Sequence, residues 1–108
     1  MAVRFLKNKG YLVLETNYRC RWGEIDIVAG EEGQMVFVEV RTRKGNAFGT
    51  PEESITPAKR RRLMVTAQSY LREHGQEGLD WRVDLIAIRL GSRQRLERVE
   101  HIRHAIEG

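Results

Sequence analysis

Two β-type runs lie almost back to back in this chain, GEIDIVA (residues 23–29) and FVEVRTR (residues 37–43), with Glu31-Glu32-Gly33-Gln34 between them. A connector this short that contains glycine joins antiparallel neighbours, so the two runs form a hairpin. A tight turn on Glu32-Gly33 sets Asp26 opposite Glu39, Glu24 opposite Arg41 and Val28 opposite Phe37. Side chains alternate across a strand, so Ile25, Ile27 and Ala29 share the other face with Val36, Val38 and Val40, which makes that face apolar. A slip of one residue would drive carboxylates into the oily side, which burial cost disfavours.

Like charges directly across two strands are destabilising, so the Asp26–Glu39 pair needs compensation. A divalent cation supplies it: Mg²⁺, or Mn²⁺ in its place, takes one or two carboxylates and completes its shell with waters and substrate phosphate. Arg41 lies on the same face, two residues beyond Glu39. Two acids and a cation around one point are the parts of metal-assisted phosphodiester hydrolysis. The same pattern also suits a solvated sheet face on which Glu24–Arg41 and Asp26–Arg41 are ordinary ion pairs.

Around the hairpin the chain reads as α-β-β-β-α-β-β, an α/β fold with a mixed sheet flanked by helices. Residues 2–8 suit a short helix ended by Gly10, residues 11–16 a strand, and residues 17–22 (NYRCRW) a polar connection. Residues 44–55 form an ordered loop. Thr56-Pro57 is an N-cap followed by proline, and Leu63, Ala67, Tyr70 and Leu71 recur at helical spacing until Gly75. Residues 81–90 and 96–102 are strands separated by Gly91-Ser92.

The 108 residues suit a single domain, and no apolar stretch approaches the roughly 20 residues that cross a bilayer. The basic start is interrupted by Lys7, Asn8, Lys9 and Gly10 and does not read as a signal peptide. One cysteine, Cys20, excludes an intrachain disulfide and a cysteine-rich zinc site. A cytoplasmic protein with no membrane partner is the expectation.

Net charge is +4, and the excess lies late: residues 1–40 carry five Lys/Arg against six Asp/Glu, residues 41–108 fourteen against nine. Fifteen of the nineteen cations are arginine, the side chain that best fits phosphate, so a nucleic-acid partner is expected; an Arg-rich or heat-adapted surface has the same composition. Lys59, Arg60, Arg61 and Arg62 fan around one helical turn, and at least two must face water and can meet phosphates. Arg43 and Lys44 extend the same basic rim.

Asp84 alternates away from Val83, Leu85 and Ala87 and reads as a structural acid, tied to the neighbours of Arg82 or to a helix N-terminus, with a role in catalysis as the lesser alternative. His101 and His104 lack a third ligand type and read as surface or capping groups. The tryptophans and tyrosines could stack on bases, but Trp81 and Tyr70 suit packing better. Cys20, between Arg19 and Arg21, lacks a nearby histidine for a nucleophilic role.

GEIDIVA, FVEVRTR, FGTPEESI (residues 48–55), KRRRL (residues 59–63) and RVDLIA (residues 82–87), in this order, resemble the bacterial YraN-type family of uncharacterised proteins. That family is similar to archaeal Holliday-junction resolvases and to restriction-endonuclease-like nucleases, whose signature is Asp, then Glu-x-Lys, on adjacent strands. The resemblance implies a restriction-endonuclease-like fold over residues 1–108. It makes Asp26 and Glu39 ligands of Mg²⁺ or Mn²⁺ and puts Arg41 at the lysine position, with DNA, branched DNA included, as substrate. Resolvases cut symmetrically as dimers, so a homodimer is implied too.

Two departures accompany it. Arginine does not give up its proton as a general base must, so Arg41 can hold water or phosphate but not abstract a proton. The family also begins with a helix carrying a Gly-Glu pair, and the helix here reads as truncated, without that acid. A catalytically inactive nucleic-acid-binding module with a nuclease fold is therefore the alternative expectation.

Overall fold

A computed structural model describes residues 1–44 and 50–106. The elements are α1 (Ala2–Asn8), β1 (Leu12–Cys20), β2 (Gly23–Glu31), β3 (Gln34–Lys44), α2 (Pro57–Glu73), β4 (Trp81–Leu90) and β5 (Leu96–Ile106), with short 3₁₀ turns at Glu52–Ser54 and Ser92–Gln94. The expected order of two helices and five strands is the observed one. The sheet runs β1-β2-β3-β4-β5, antiparallel except for the parallel β3–β4 pair that α2 connects. Parallel neighbours need such a crossover, and a helix of 17 residues supplies it.

The local causes are legible. Glu32 and Gly33 have φ values of 48° and 77°, the left-handed pair that lets a two-residue turn follow strand twist. The Thr56 hydroxyl accepts from the Lys59 N–H at 3.2 Å, Pro57 opens α2, and Gly75, at φ 64°, lets the chain leave the helix. Leu63, Thr66, Ala67, Tyr70 and Leu71 form the buried stripe of α2. They pack with Val28, Phe37, Val83 and Leu85 on one sheet face. Ala2 and Leu6 of α1 pack with Ile27, Val36, Val38 and Ile86 on the other. Each Val, Leu, Ile or Phe side chain taken out of water contributes roughly 1.5–3 kcal/mol, so both sheet faces are stabilised and the acids must find places within an apolar sandwich.

Three expectations about the elements change. β1 does not stop at Thr16 but continues through Cys20, so most of NYRCRW is strand, and β5 runs on to Ile106. Tyr18 explains the first difference: it is buried under α2, edge-on to Tyr70 at 5.0 Å between ring centroids. The third concerns faces. Ile25 packs in the α2-side cluster with Val28, not with Ile27 on the α1 side. Alternation breaks at Asp26, where the β1–β2 ladder skips Asp26 and the residue opposite it in register, Asn17, which sits at φ 55°. The local rotation of β2 puts both Ile25 and Val28 beneath α2.

The hairpin register is the expected one over five pairs, from Glu31–Gln34 to Ile27–Val38. There the ladder ends, and β2 and β3 part where the acids begin.

Candidate functional site

The parting of β2 from β3 leaves the Val40 N–H without a carbonyl, and the Asp26 side chain takes it: the amide donates to Asp26 Oδ2 at 2.8 Å. Asp26 is thus not a ladder partner of Glu39, as the register alone suggested, but the end-cap of the split. It keeps one carboxylate oxygen beyond that bond and remains half-buried. Glu39 is deeper, 5% exposed. Burial, then the charge of Asp26 and a side-chain hydrogen bond with Asp26, push the Glu39 carboxyl up to about 7, against the pull of Lys59 and Arg41. Burial beside a second acid disfavours the charged form of Glu39, as expected of two acids confined to one site.

The cation nearest Glu39 is not the one its motif supplies. Lys59, in the first turn of α2, brings Nζ to 3.6 Å from Glu39 Oε2. Arg41 instead donates from Nη2 to the Ser54 carbonyl at 3.2 Å. Arg60 donates to the carbonyls of Ile55 and Glu52 at 3.1 and 2.7 Å. Two guanidiniums therefore hold three turn carbonyls, at Glu52, Ser54 and Ile55, and fix the approach to α2 that aims Lys59 at Glu39.

The four-cation run divides accordingly: Lys59 joins the acids, Arg60 braces the turn, and Arg61 and Arg62 are exposed. Lys59 and Arg62 border a cavity of about 190 Å³ between the start of β2 and α2, together with Gly23 and Glu24. Lys44 is exposed at the end of β3, and Arg43 is half-buried near it. The surface ion pairs expected of a merely solvated face take another form, since Glu24 pairs with Arg19 on β1 at 3.1 Å and not with Arg41. FGTPEESI is described only from Thr50 onward.

Two carboxyls this close, one of them buried and raised further by the other's charge, could hold a divalent cation, which would remove the repulsion. Among the described residues no group of three or more His, Cys, Asp and Glu gathers as a metal cage. Mg²⁺ does not require one, because waters and substrate oxygens complete its shell.

On the α1 face a different constellation forms. Asp84 is fully buried and accepts from Arg82 Nε at 2.9 Å, His101 Nε2 at 2.8 Å and the His104 N–H at 2.9 Å. Burial pushes its carboxyl up, but the bonds from His101, Arg82 and the His104 amide outweigh it and hold it below the usual 3.8. Arg82 also donates to Glu31, Tyr11 and Gln34. The structural reading of Asp84 stands, with Arg82 itself as its partner and no helix N-terminus involved. The surface reading of His101 does not. Its side chain is 2% exposed, and it bridges Asp84 and the Lys9 ammonium, the latter at 2.7 Å from Nδ1. An ammonium only donates and a carboxylate only accepts, so Nδ1 accepts and Nε2–H donates. Tyr11, Tyr18 and Tyr70 are buried, Trp81 packs edge-on to Phe37, and Trp22 is the tryptophan left half-exposed, under the Arg21 guanidinium at 4.4 Å.

No helix among the described residues is long and apolar enough to cross a membrane. Known proteins resemble the chain over almost its whole length. A relative from Roseiflexus castenholzii is 50% identical over 108 residues, 99% of this chain and 87% of its own. One from Moorella thermoacetica is 46% identical over 104 residues, 96% of this chain and 87% of its own. One from Persephonella marina is 47% identical over 87 residues, 81% of this chain and 75% of its own. All three carry the name UPF0102 protein. The model of the uncharacterised protein family UPF0102 matches residues 1–88, and the chain belongs to that family, the YraN-type group that its motifs resemble.

Proposed function

We propose that this protein is a metal-dependent nuclease that hydrolyses DNA phosphodiester bonds at Asp26 and Glu39, with the cytoplasm as its setting. One observation carries the reading: Glu39, buried in an apolar sheet, lies against a second carboxyl, Asp26, at the split end of a hairpin, with Lys59 Nζ 3.6 Å from it. Such a pair is costly to maintain in a folded chain and fits a site that takes up Mg²⁺ or Mn²⁺. The cation, when bound, would supply Lewis-acid stabilisation of the scissile phosphate and a more acidic water. The chain's own residues do the remainder. Asp26 and Glu39 would hold the cation, and the Val40 amide fixes the Asp26 carboxylate. Lys59 offers its ammonium to charge growing on the phosphate. Arg41, held on the Ser54 carbonyl, keeps the turn and hence Lys59 in position. Arg61, Arg62 and Lys44 are exposed and available to neighbouring phosphates.

That engagement of Arg41 favours a second reading, a nucleic-acid-binding module without cleavage, because the cation at the motif's lysine position is committed to the Ser54 carbonyl. Linear and four-way branched DNA incubated with Mg²⁺ or Mn²⁺ separates the two. Cleavage that EDTA stops and that Asp26→Asn and Glu39→Gln each abolish is expected of the nuclease. Salt-sensitive binding with no cleavage in any metal leaves the binding module, and cleavage indifferent to Asp26→Asn refutes the assigned site.

A further inference from the structure

Register across the parallel strands aligns three arginines that are far apart in sequence. Arg43 of β3 pairs with Arg89 of β4, and Arg89 pairs with Arg98 of β5. Alternation places all three on the α2 face, because Phe37, Leu85 and Ile102 of the same strands and the same parity pack in the α2-side cluster. Glu39 shares that face and parity. The row therefore crosses the sheet about 13 Å along β3 from Glu39, at roughly 3.3 Å per residue, and spans about 10 Å over three strands.

Like charges directly opposite one another destabilise a sheet, and here three follow in succession. Local carboxylates answer only part of the charge. Arg98 reaches Glu100 at 3.0 Å, but both ends are solvated, at 66% and 38% exposure, so the pair is weak and exchangeable. Arg43 lowers the carboxyl of Glu53, whose hydrogen bonds from the backbone N–H and hydroxyl of Thr50 do more. The Arg89 side chain has neither a hydrogen bond nor an ion pair among the described residues. All three arginines line one concavity of about 330 Å³, with Glu52 and Glu100 at its border and Thr50 and Pro51 as a wall. Cations gathered into a concave wall focus positive potential, and guanidinium forks match phosphate oxygens.

We propose that Arg43, Arg89 and Arg98 form a second phosphate-binding site, which holds the DNA backbone a few nucleotides from the acid pair. The proposal rests on the nucleic-acid reading above and adds to it a direction: the strand crosses the sheet from β3 to β5 past the turn before α2, instead of following the exposed side of α2. Arg89 and Arg98 are the informative members, since neither contributes to a buried cluster.

The test is fluorescence anisotropy of a fluorescein-labelled 20-base-pair DNA duplex with EDTA present, between 50 and 200 mM KCl, for the wild type, Arg89→Gln/Arg98→Gln and Arg89→Lys/Arg98→Lys. Loss of two phosphate contacts should lower affinity at least ~10-fold at 50 mM salt and reduce the slope of log affinity against log salt by about 2, at roughly 0.9 per contact. The double lysine variant should keep most of the slope. The glutamine variant should melt no lower than the wild type, because it removes opposed charges. A wild type that binds while the glutamine variant binds equally well, with the same slope, overturns the arginine row and leaves the nuclease reading standing. Weaker binding accompanied by a lower melting temperature assigns the arginines a structural role and overturns the row as well. A wild type with no salt-dependent binding overturns both readings.

Discussion

Replacing Glu39 by glutamine should make the protein more stable, and the gain should grow with pH. The carboxyl has an ordinary value of 4.5 and titrates in the folded chain at about 7. A group whose folded value is raised favours folding while the folded state alone holds the proton. That contribution is complete below 4.5 and is lost as pH rises through 7. At 1.36 kcal/mol per pH unit the interval corresponds to on the order of 3 kcal/mol of stability that the wild type gives up between acid and mildly alkaline solution. The substituted side chain would donate its amide to Asp26 much as the protonated acid does, and it cannot ionise. It would also leave Lys59, now 3.6 Å from Glu39, to water, which takes back part of the gain. A net advantage of about 2 kcal/mol at pH 8 is expected, equivalent to roughly 10 °C in melting temperature for a domain of this size. Urea unfolding followed by tryptophan fluorescence at pH 5, 6.5 and 8, in EDTA, measures it, since Trp81 lies against Phe37 in the core. The Asp84, Glu31 and Glu53 carboxyls are all held below their ordinary values, so their own transitions fall at more acid pH. The histidines are common to both proteins and cancel in the difference. Wild-type and variant midpoints that stay parallel from pH 5 to 8 would refute the raised titration of Glu39 at this site.

Lys59→Met should push the Glu39 titration still higher, because the ammonium is what pulls it down against burial and Asp26; ¹³C NMR of the Glu39 carboxyl reads the change, and an unmoved titration would remove Lys59 from the site. Asp84→Asn should cost about 3–5 kcal/mol in urea unfolding at pH 7, the usual penalty for leaving a buried guanidinium short of its partner, with Glu31 as the one carboxylate left to Arg82. Because the Asp84 carboxyl is held below 3.8, its stabilisation is present above that pH and lost beneath it, so variant and wild type should converge only in acid. A cost under about 1 kcal/mol would show that the network on the α1 face is not what holds β4 and β5 together.

Most of the architecture was legible because its causes are local. Glu32-Gly33 dictates a turn whatever surrounds it, Thr56-Pro57 starts a helix, and the apolar run of β4 has the composition of a strand covered on both faces. The misread segments are those where tertiary contact overrides local composition. NYRCRW carries the residues of a connection, yet Tyr18 is drawn under α2 beside Tyr70 and the chain stays paired with β2 through Cys20. Ile25 obeys alternation in the sequence and breaks it in the fold. Asn17 adopts a left-handed conformation and Asp26 leaves the ladder to bind Val40, a local bend that no periodicity records.

The candidate site was legible to the same depth. Asp26 and Glu39 are marked by alternation, since an acid at every second position of an apolar strand must face something polar. Alternation alone does not distinguish these two from Asp84, which satisfies the same rule on β4. What separates them is partnership at long range. Asp84 meets a guanidinium two residues away, but also an imidazole 17 residues on and a main-chain amide 20 residues on, and with those bonds its charge is satisfied where it lies. Glu39 meets another acid and a lysine at 3.6 Å, and its charge is not satisfied. The first arrangement is what a buried acid needs in order to be structural. The second disfavours the charged form even with Lys59 beside it, so of the two buried carboxyls Glu39 is the one whose pairing is incomplete.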